Sequence, residues 1–215
     1  MFPFLWPLIF LFVIIPLLVL SLFLNLAVFS FAKLGLTPMG ALLLLLGSLA
    51  GSLINIPLYR QRIYDHEPPW HPFLFFFYYP PQINYQVVCI NVGGAVIPVL
   101  FSLYLLSTRA PFGPTCLATL IVTVVTKAMA RVVPGAGITL PTFIPPVVAA
   151  LAAILIAPDN APPVAYVAGA LGTLLGADIL NLGDIKRLKA QVVSIGGAGV
   201  FDGIFLVALA AALLS

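Results

Sequence analysis

Long, continuous apolar runs are the feature of this sequence that most restricts its fold. A membrane helix needs about 20 consecutive apolar residues, and seven runs approach or exceed that length: residues 4–32, 38–58, 85–107, 114–130, 138–157, 162–182 and 194–214. Hydrophobic residues make up 62% of the chain and charged residues only 7%, whereas a soluble domain carries about 25% charged residues. So few charges cannot keep the surface in water, and the surrounding solvent is therefore expected to be lipid.

The pattern within these runs predicts helices. The apolar residues follow one another without the polar–apolar alternation of a membrane β-barrel strand. In lipid, a helix satisfies its own backbone hydrogen bonds, as a closed barrel also does. The predicted fold is all-α: a polytopic transmembrane helix bundle of about seven helices, forming a single integral membrane domain over residues 1–215.

Several of the predicted helices contain breaks. Pro16 lies in the over-long first run, which is expected to tilt, kink or begin in the interface. Interruptions also fall at Asn55-Ile56-Pro57, at Asn91-Val92-Gly93-Gly94 and at residues 134–137. Backbone groups freed at membrane depth need protein or a water-filled cavity to satisfy them. These segments therefore either line a cavity or are kinks at helix ends.

One long connection, residues 60–84, separates the second and third runs. It carries an aromatic stretch over residues 73–79 that is typical of the headgroup region of a membrane. His66 and His71, next to two acidic residues, raise the alternative of a metal site. The surrounding prolines disrupt any helical ligand spacing, so we expect an interfacial aromatic loop with no metal and no other cofactor.

The basic residues indicate how the protein is oriented. With seven spans, one set of loops and helix ends collects seven Lys and Arg residues and the other set only Lys33 and Arg109. The positive-inside rule places the richer set in the cytoplasm. The amino terminus is then cytoplasmic and the carboxyl terminus outside. A net charge of +3 carried in short loops indicates topology rather than nucleic-acid binding.

Two acidic residues, Asp178 and Asp202, lie inside predicted helices. An ionisable side chain at the centre of a membrane helix costs about 2.5–3.5 kcal/mol or more, so each is a candidate functional residue. If the sixth helix ends near residue 182 and the seventh begins near residue 196, the carboxyl groups lie about 6 Å and 9 Å below the same cytoplasmic face.

Two such carboxyl groups can share a proton, because both cannot ionise easily in a low-dielectric site. An aspartyl protease uses this arrangement, with one carboxylate activating water and the protonated partner donating to the substrate carbonyl. The same pair suits a proton-coupled transporter. The structural alternative is that the acids cap helices, bind Lys127 or Arg131, or lie in interfacial water. Asp184 is a third candidate, although nearby basic residues favour a loop position for it.

Three segments carry a resemblance to a known family: Gly51 to Leu58, Pro162 to Asp178, and Gly196 to Phe205. Together they resemble a prokaryotic membrane family described as domain of unknown function 1614. The resemblance covers most of the chain beyond the first helix, and the last two segments are the more specific. It implies a protein of the prokaryotic cytoplasmic membrane and implies no activity.

The paired acids also resemble, in arrangement, the intramembrane aspartyl proteases of the presenilin, signal-peptide-peptidase and prepilin-peptidase group. Those enzymes place one aspartate in Gly-x-Gly-Asp and often the other in Tyr-Asp. Here Gly197 and Gly199 precede Asp202 with two extra residues between, and Phe201-Asp202 stands in the second acidic helix. The resemblance implies a catalytic dyad of Asp178 and Asp202, acting on a transmembrane peptide substrate.

Three functions follow as hypotheses. The first is an intramembrane aspartyl-protease-like protein that uses the Asp178–Asp202 dyad. The second is a proton- or cation-coupled transporter that uses the same acids as a relay, with Lys127 as a partner. The third is a non-catalytic membrane subunit. The expected partner in every case is the lipid bilayer, and no nucleic acid is expected.

Overall fold

A computed structural model describes residues 10–65, 82–133, 137–188, 192–197 and 203–215 of the protein. These residues are mostly helical, as predicted. The seven helices within them are α1 (Phe10–Lys33), α2 (Pro38–Gly51), α3 (Val92–Thr108), α4 (Phe112–Met129), α5 (Ile144–Ile156), α6 (Ala161–Thr173) and α7 (Gly203–Leu214). The strands are β1 (Asn55–Asp65), β2 (Gln82–Asn91), β3 (Arg131–Val133), β4 (Gly137–Thr139) and β5 (Val192–Ile195).

The helices form one bundle in which successive helices run in opposite directions. The first and last are parallel, because the Ser30 hydroxyl donates to the Leu209 carbonyl at 2.9 Å and Lys33 Nζ donates to the Leu213 carbonyl at 2.8 Å. The bundle therefore has two distinct ends. We call them the sheet end (residues 51–65, 82–92, 129–133, 137–144, 174–188 and 192–197) and the turn end (residues 33–38, 108–112, 156–161 and 214–215).

Helix α6 forms the centre of the bundle and contacts α3, α4, α5 and α7. Nearly all of its residues are buried, and many are alanine or glycine, which lets neighbouring backbones approach closely. Its one large side chain, Tyr166, packs edge-on against Phe101 of α3 with ring centroids 5.0 Å apart. Phe31 of α1 lies 6.2 Å from Phe101 in a similar edge-on contact. These rings join three helices in the core.

A three-stranded sheet covers the sheet end, with strand order β1-β2-β5. Strands β1 and β2 pair antiparallel, and β5 pairs parallel to β2, with Cys89 opposite Ser194 and Ile90 opposite Ile195. Strands β3 and β4 form a separate antiparallel pair. The sheets correct the all-helical prediction. The run 85–90 contains β-branched residues and is short enough for a buried strand, which hydropathy alone does not distinguish from a helix.

The strands also explain why several helices are shorter than predicted. The second predicted span ends at Gly51 and not at residue 58, and the third begins at Val92 and not at residue 85. The fifth begins at Ile144, after Pro141, and the seventh begins at Gly203, after β5.

Three helical segments are long and apolar enough to cross a membrane: Phe10–Lys33, Phe112–Met129 and Pro158–Asp184. The other apolar helices of the described ranges have 17 residues or fewer. The protein is accordingly membrane-associated. In the first segment the irregular turn is a π-helix over Phe10–Ile14, just before Pro16, so the predicted break falls at the start of the helix.

The long connection of the sequence prediction, residues 60–84, begins and ends in β-strands that pair with each other. Residues 60–65 belong to β1 and residues 82–84 to β2. The aromatic stretch 73–79 and both histidines, His66 and His71, lie outside the described residues.

Candidate functional site

Asp178, one of the two acids predicted to form the site, lies just beyond the end of α6, where the chain loses its regular α-helical geometry. After Thr173 the helix continues as a π-helix over Leu174–Asp178 and then as a 3-10 helix over Ile179–Leu188. Gly176 permits this segment to pack on α4, because a Cβ atom there would overlap the Thr126 hydroxyl and the Thr123 carbonyl. Asp178 therefore stands at the sheet end, in a segment that packs on the last turns of α4.

Asn181 stabilises this change of helix type. Its side-chain amide donates to the carbonyls of Gly176 at 3.0 Å and Ala177 at 2.7 Å. Its oxygen accepts from Lys127 Nζ at 2.7 Å, and the same ammonium donates to the Leu180 carbonyl at 2.7 Å. The side chain is buried, so these bonds pair its amide with backbone carbonyls at the change of helix type. Lys127 thus binds the end of α6 through Asn181 and Leu180.

The half-buried Asp178 carboxylate is held from the opposite side. Its Oδ2 accepts a hydrogen bond from the backbone N–H of Gly196 at 2.7 Å. Gly196 follows β5 directly and has φ +75°, a conformation that favours glycine, and a Cβ there would lie 2.7 Å from the Cβ of Ala95. The turn after β5 is therefore seated on the start of α3, with its N–H directed at the carboxylate.

A cluster of polar side chains lies beside this turn. Asn91 Nδ2 donates to the Ser52 carbonyl at 2.7 Å and to Asn55 Oδ1 at 3.2 Å, and the Ser194 hydroxyl also donates to Asn55 Oδ1. The Asn91 Oδ1 accepts from the Gly94 N–H at 2.9 Å and so caps α3. We call Asn55, Asn91 and Ser194 the sheet-end cluster.

Gly197 connects the carboxylate to the sheet-end cluster. A Cβ at this position would lie 2.5 Å from the Ser194 hydroxyl and 3.6 Å from the Asn91 Cβ. The breaks predicted at Asn55 and Asn91 therefore lie at one site, at the junctions between strands and helices. The break predicted at 134–137 lies largely outside the described residues.

Of the three acids predicted as site residues, Asp178 and Asp184 lie within the described residues and Asp202 does not. Asp178 lies at the site as described. Asp202 lies outside the described residues, immediately before the first residue of α7. Asp184 lies in the 3-10 helix Ile179–Leu188 and not in the predicted loop. Among the residues placed by the structure, no ion pair joins Asp178 to Lys127 or Arg131, and no three His, Cys, Asp or Glu residues could hold a metal ion.

Sequence reasoning missed Asn181, Ser194 and Gly196. Asn181 follows a glycine-containing apolar helix and could have been read as a capping residue. Ser194 lies in a short run that is rich in β-branched residues, 192–195, and Gly196-Gly197 follows that run, which is a strand-and-turn signal. Hydropathy masks that signal, because the same residues extend the apolar stretch of the seventh predicted span.

Comparison with known proteins identifies the class to which this membrane protein belongs. Residues 49–214 match the family described as Protein of unknown function (DUF1614), and the chain belongs to that family. The match includes all three segments on which the resemblance was based, so the predicted membership of this family is confirmed. No curated protein and no solved structure matches the chain.

Proposed function

We propose that this protein is an intramembrane aspartyl protease in which Asp178 and Asp202 act together on a transmembrane peptide. The observation that carries the proposal is the hydrogen bond from the Gly196 N–H to Asp178 Oδ2. It holds one carboxylate at the end of α6 and fixes it beside the segment that leads to the second acid.

Chain length supports a pairing of the two acids. Asp202 follows Gly196 by six positions, and an extended chain of that length spans at most about 20 Å. Helix α7 begins at Gly203 and packs against α6, and the π-helix that follows α6 ends at Asp178. The proposal requires the Asp202 carboxyl group to lie at the sheet end, within this length of chain from Gly196.

The hydrogen bonding of Asp178 suits a carboxylate that activates water. Oδ2 is engaged by Gly196, and Oδ1 has no hydrogen-bond partner within the described part of the chain. In the proposed reaction, one carboxylate accepts a proton from water as the water oxygen attacks the peptide carbonyl carbon. The protonated partner carboxyl donates its proton to the carbonyl oxygen, giving a tetrahedral diol. Collapse of the diol breaks the C–N bond, and the amine product leaves with a proton returned from the pair.

The distribution of charge favours this proposal over a transporter. Asp159 precedes α6 at the turn end and Asp178 follows it at the sheet end, about 28 Å apart along a helix. No Asp, Glu, Lys, Arg or His residue lies between them in the sequence. Between them the buried side chains are almost all apolar, with Val164, Tyr166 and Val167 at the centre. A relay of acids across the membrane would need an intermediate ionisable group, whereas a hydrolytic site needs access from one side only.

The proposal is tested with the full-length protein in liposomes and a photoreactive peptide that carries a hydroxyethylene group in place of its scissile bond. Such an isostere mimics the tetrahedral intermediate and binds a dyad tightly. We expect labelling of the wild type and its loss in Asp178→Asn and in Asp202→Asn. Asp184→Asn is the matched control and is expected to retain labelling.

Two results would count against the protease. The first is the absence of labelling in the wild type together with no cleavage of a library of single-span peptides, followed by mass spectrometry. The second is equal labelling of the wild type and Asp178→Asn. A proton flux in the same liposomes that disappears in Asp178→Asn would instead support the transporter. If both assays are negative while Asp178→Asn unfolds at a lower temperature, the acid has a structural role in a non-catalytic subunit.

A further inference from the structure

A second candidate site lies at the turn end, far from Asp178. A cavity of about 380 Å³ is lined there by Lys33, Thr108, Arg109, Asp159 and Asn160, together with two prolines at the start of α6. This volume lies near the lower end of the range for ligand pockets, about 300–1,000 Å³, and so fits a small polar group.

The charged side chains at the turn end all line this cavity. Lys33, Arg109 and Asp159 are the charged side chains that the described residues contribute to the turn end, and all three line the cavity. They come from three different segments: the end of α1, the α3–α4 turn and the α5–α6 turn. Convergence of scattered charges on one cavity is typical of a binding site.

The charges do not neutralise one another. No ion pair within 4.0 Å joins Asp159 to either cation in the described structure. Lys33 Nζ donates to the Leu213 carbonyl and keeps two further donors. The cavity therefore offers cationic donors and a separate carboxylate to a ligand.

Arg109 is held in place by the turn between α1 and α2. Gly35 has φ +79°, and a Cβ atom there would overlap the Arg109 guanidinium. The guanidinium thus lies directly on the backbone of this turn. Its planar set of donors matches the oxygens of a phosphate group.

We propose that the turn-end cavity binds a phosphodiester that also carries a primary ammonium group, as in phosphoethanolamine. Lys33 and Arg109 receive the phosphate, and the Asp159 carboxylate receives the ammonium. The position of the cavity favours a phospholipid headgroup as the source, because Lys33 ends one segment long enough to span a membrane and Arg109 closely precedes another. Phe112, at the start of that second segment, is 72% exposed and is therefore available to contact the acyl chains of such a lipid.

The first test measures lipid retention by native mass spectrometry. The full-length protein is purified from nanodiscs that contain equal amounts of phosphatidylethanolamine, phosphatidylcholine and phosphatidylglycerol. We expect preferential retention of phosphatidylethanolamine, reduced at least tenfold in Arg109→Gln and in Asp159→Asn. Arg131→Gln, which removes an exposed cation at the sheet end, is the matched control and is expected to bind normally. Equal retention of the three lipids, or normal retention by both variants, would overturn the proposal.

A second experiment distinguishes a membrane phospholipid from a soluble phosphoethanolamine compound as the ligand of the cavity. Soluble glycerophosphoethanolamine is added at millimolar concentration before lipid retention is measured. Displacement of the lipid shows that the headgroup alone is recognised and that a free zwitterion can occupy the cavity. Retention of the lipid shows that the acyl chains contribute and that the source is the bilayer.

A third arm tests the position of the guanidinium without removing its charge. Gly35→Ala is expected to displace Arg109 and to lower phosphatidylethanolamine retention, whereas Gly47→Ala has open space around it and is expected to have no effect. Arg109→Lys keeps the charge, loses the planar donors and is expected to retain an intermediate amount of lipid. Normal retention in both Gly35→Ala and Arg109→Lys would overturn the role assigned to the guanidinium.

Discussion

Ser48 and Gly93 fix α2 against the start of α3. The Ser48 hydroxyl donates to the Gly93 carbonyl at 2.6 Å, and both residues are buried. The two backbones are in direct contact here, because a Cβ atom on Gly93 would overlap the Ser48 carbonyl oxygen and the Ser52 nitrogen. The sheet-end cluster is built on this contact, since Asn91 and the Ser52 carbonyl lie immediately beside it.

Substitution of Gly93 by alanine is therefore expected to destabilise the protein. The added methyl group meets backbone atoms, which cannot rotate away, and overpacking of this kind costs about 1–3 kcal/mol. The change is measured as a lower unfolding temperature in detergent, followed by circular dichroism. Gly47→Ala in α2 is the control, because nothing lies within 4 Å of its Cβ position. An unchanged unfolding temperature in Gly93→Ala would show that α2 and α3 are not in this contact.

The contact between α4 and α6 leads to a second prediction. Gly176→Ala would push the π-helical segment away from Thr126 and Thr123, and with it the Asp178 carboxylate. We expect a loss of about 1–3 kcal/mol in unfolding free energy and a loss of labelling by the hydroxyethylene peptide. Gly183→Ala, in the following 3-10 helix, has no neighbouring atom within 4 Å and is expected to retain both properties. Full labelling in Gly176→Ala would indicate that this packing does not position the carboxylate.

Much of the helical fold follows from hydropathy, because long apolar runs in a chain with so few charges have few alternatives to membrane helices. The order of the helices and the grouping of basic residues at one end could be predicted in this way. The ends of the helices could not. Residues 85–90 fit a helix or a buried strand equally well by hydropathy, and the choice depends on pairing with residues 192–195, which are distant in sequence.

The candidate site was predictable to a similar extent. Asp178 stands out as an acid within an apolar run, and antiparallel neighbours place it at the same face as the start of the seventh run. Its hydrogen-bond partner did not follow from the sequence, because the Gly196 N–H points at the carboxylate only through the positive φ of the turn after β5. The cavity at the turn end was also not predicted, since Lys33, Arg109 and Asp159 are far apart in the chain.

Asn181 provides a third prediction. Its buried amide bonds the Gly176 and Ala177 carbonyls and accepts from Lys127. Asn181→Leu would leave those groups without these bonds, at a cost of about 1–3 kcal/mol for each buried group left unsatisfied. Asn25→Leu makes the same chemical change on an exposed face of α1, where the amide bonds only within its own turn to Ser21. We expect a clear decrease in unfolding temperature for Asn181→Leu alone, and equal temperatures for the two variants would contradict this role.

The last prediction concerns orientation. The sheet end carries Arg60, Arg62, Arg131, Lys186 and Arg187 among its described residues, with Lys127 in the adjoining last turn of α4. The basic residues of the turn end are Lys33 and Arg109. The positive-inside rule then places the sheet end in the cytoplasm. Arg62→Cys and Asp159→Cys, each made in a chain lacking Cys89 and Cys116, distinguish the two ends.

We expect a membrane-impermeant maleimide to label Asp159→Cys in intact cells and Arg62→Cys only after lysis. A permeant maleimide is expected to label both and serves as the control for accessibility. Labelling of Arg62→Cys in intact cells would reverse the orientation. Because Asp178 lies at the sheet end, that result would also move the proposed hydrolytic site to the outer face, so water and a peptide substrate would reach the carboxylate from outside the cell.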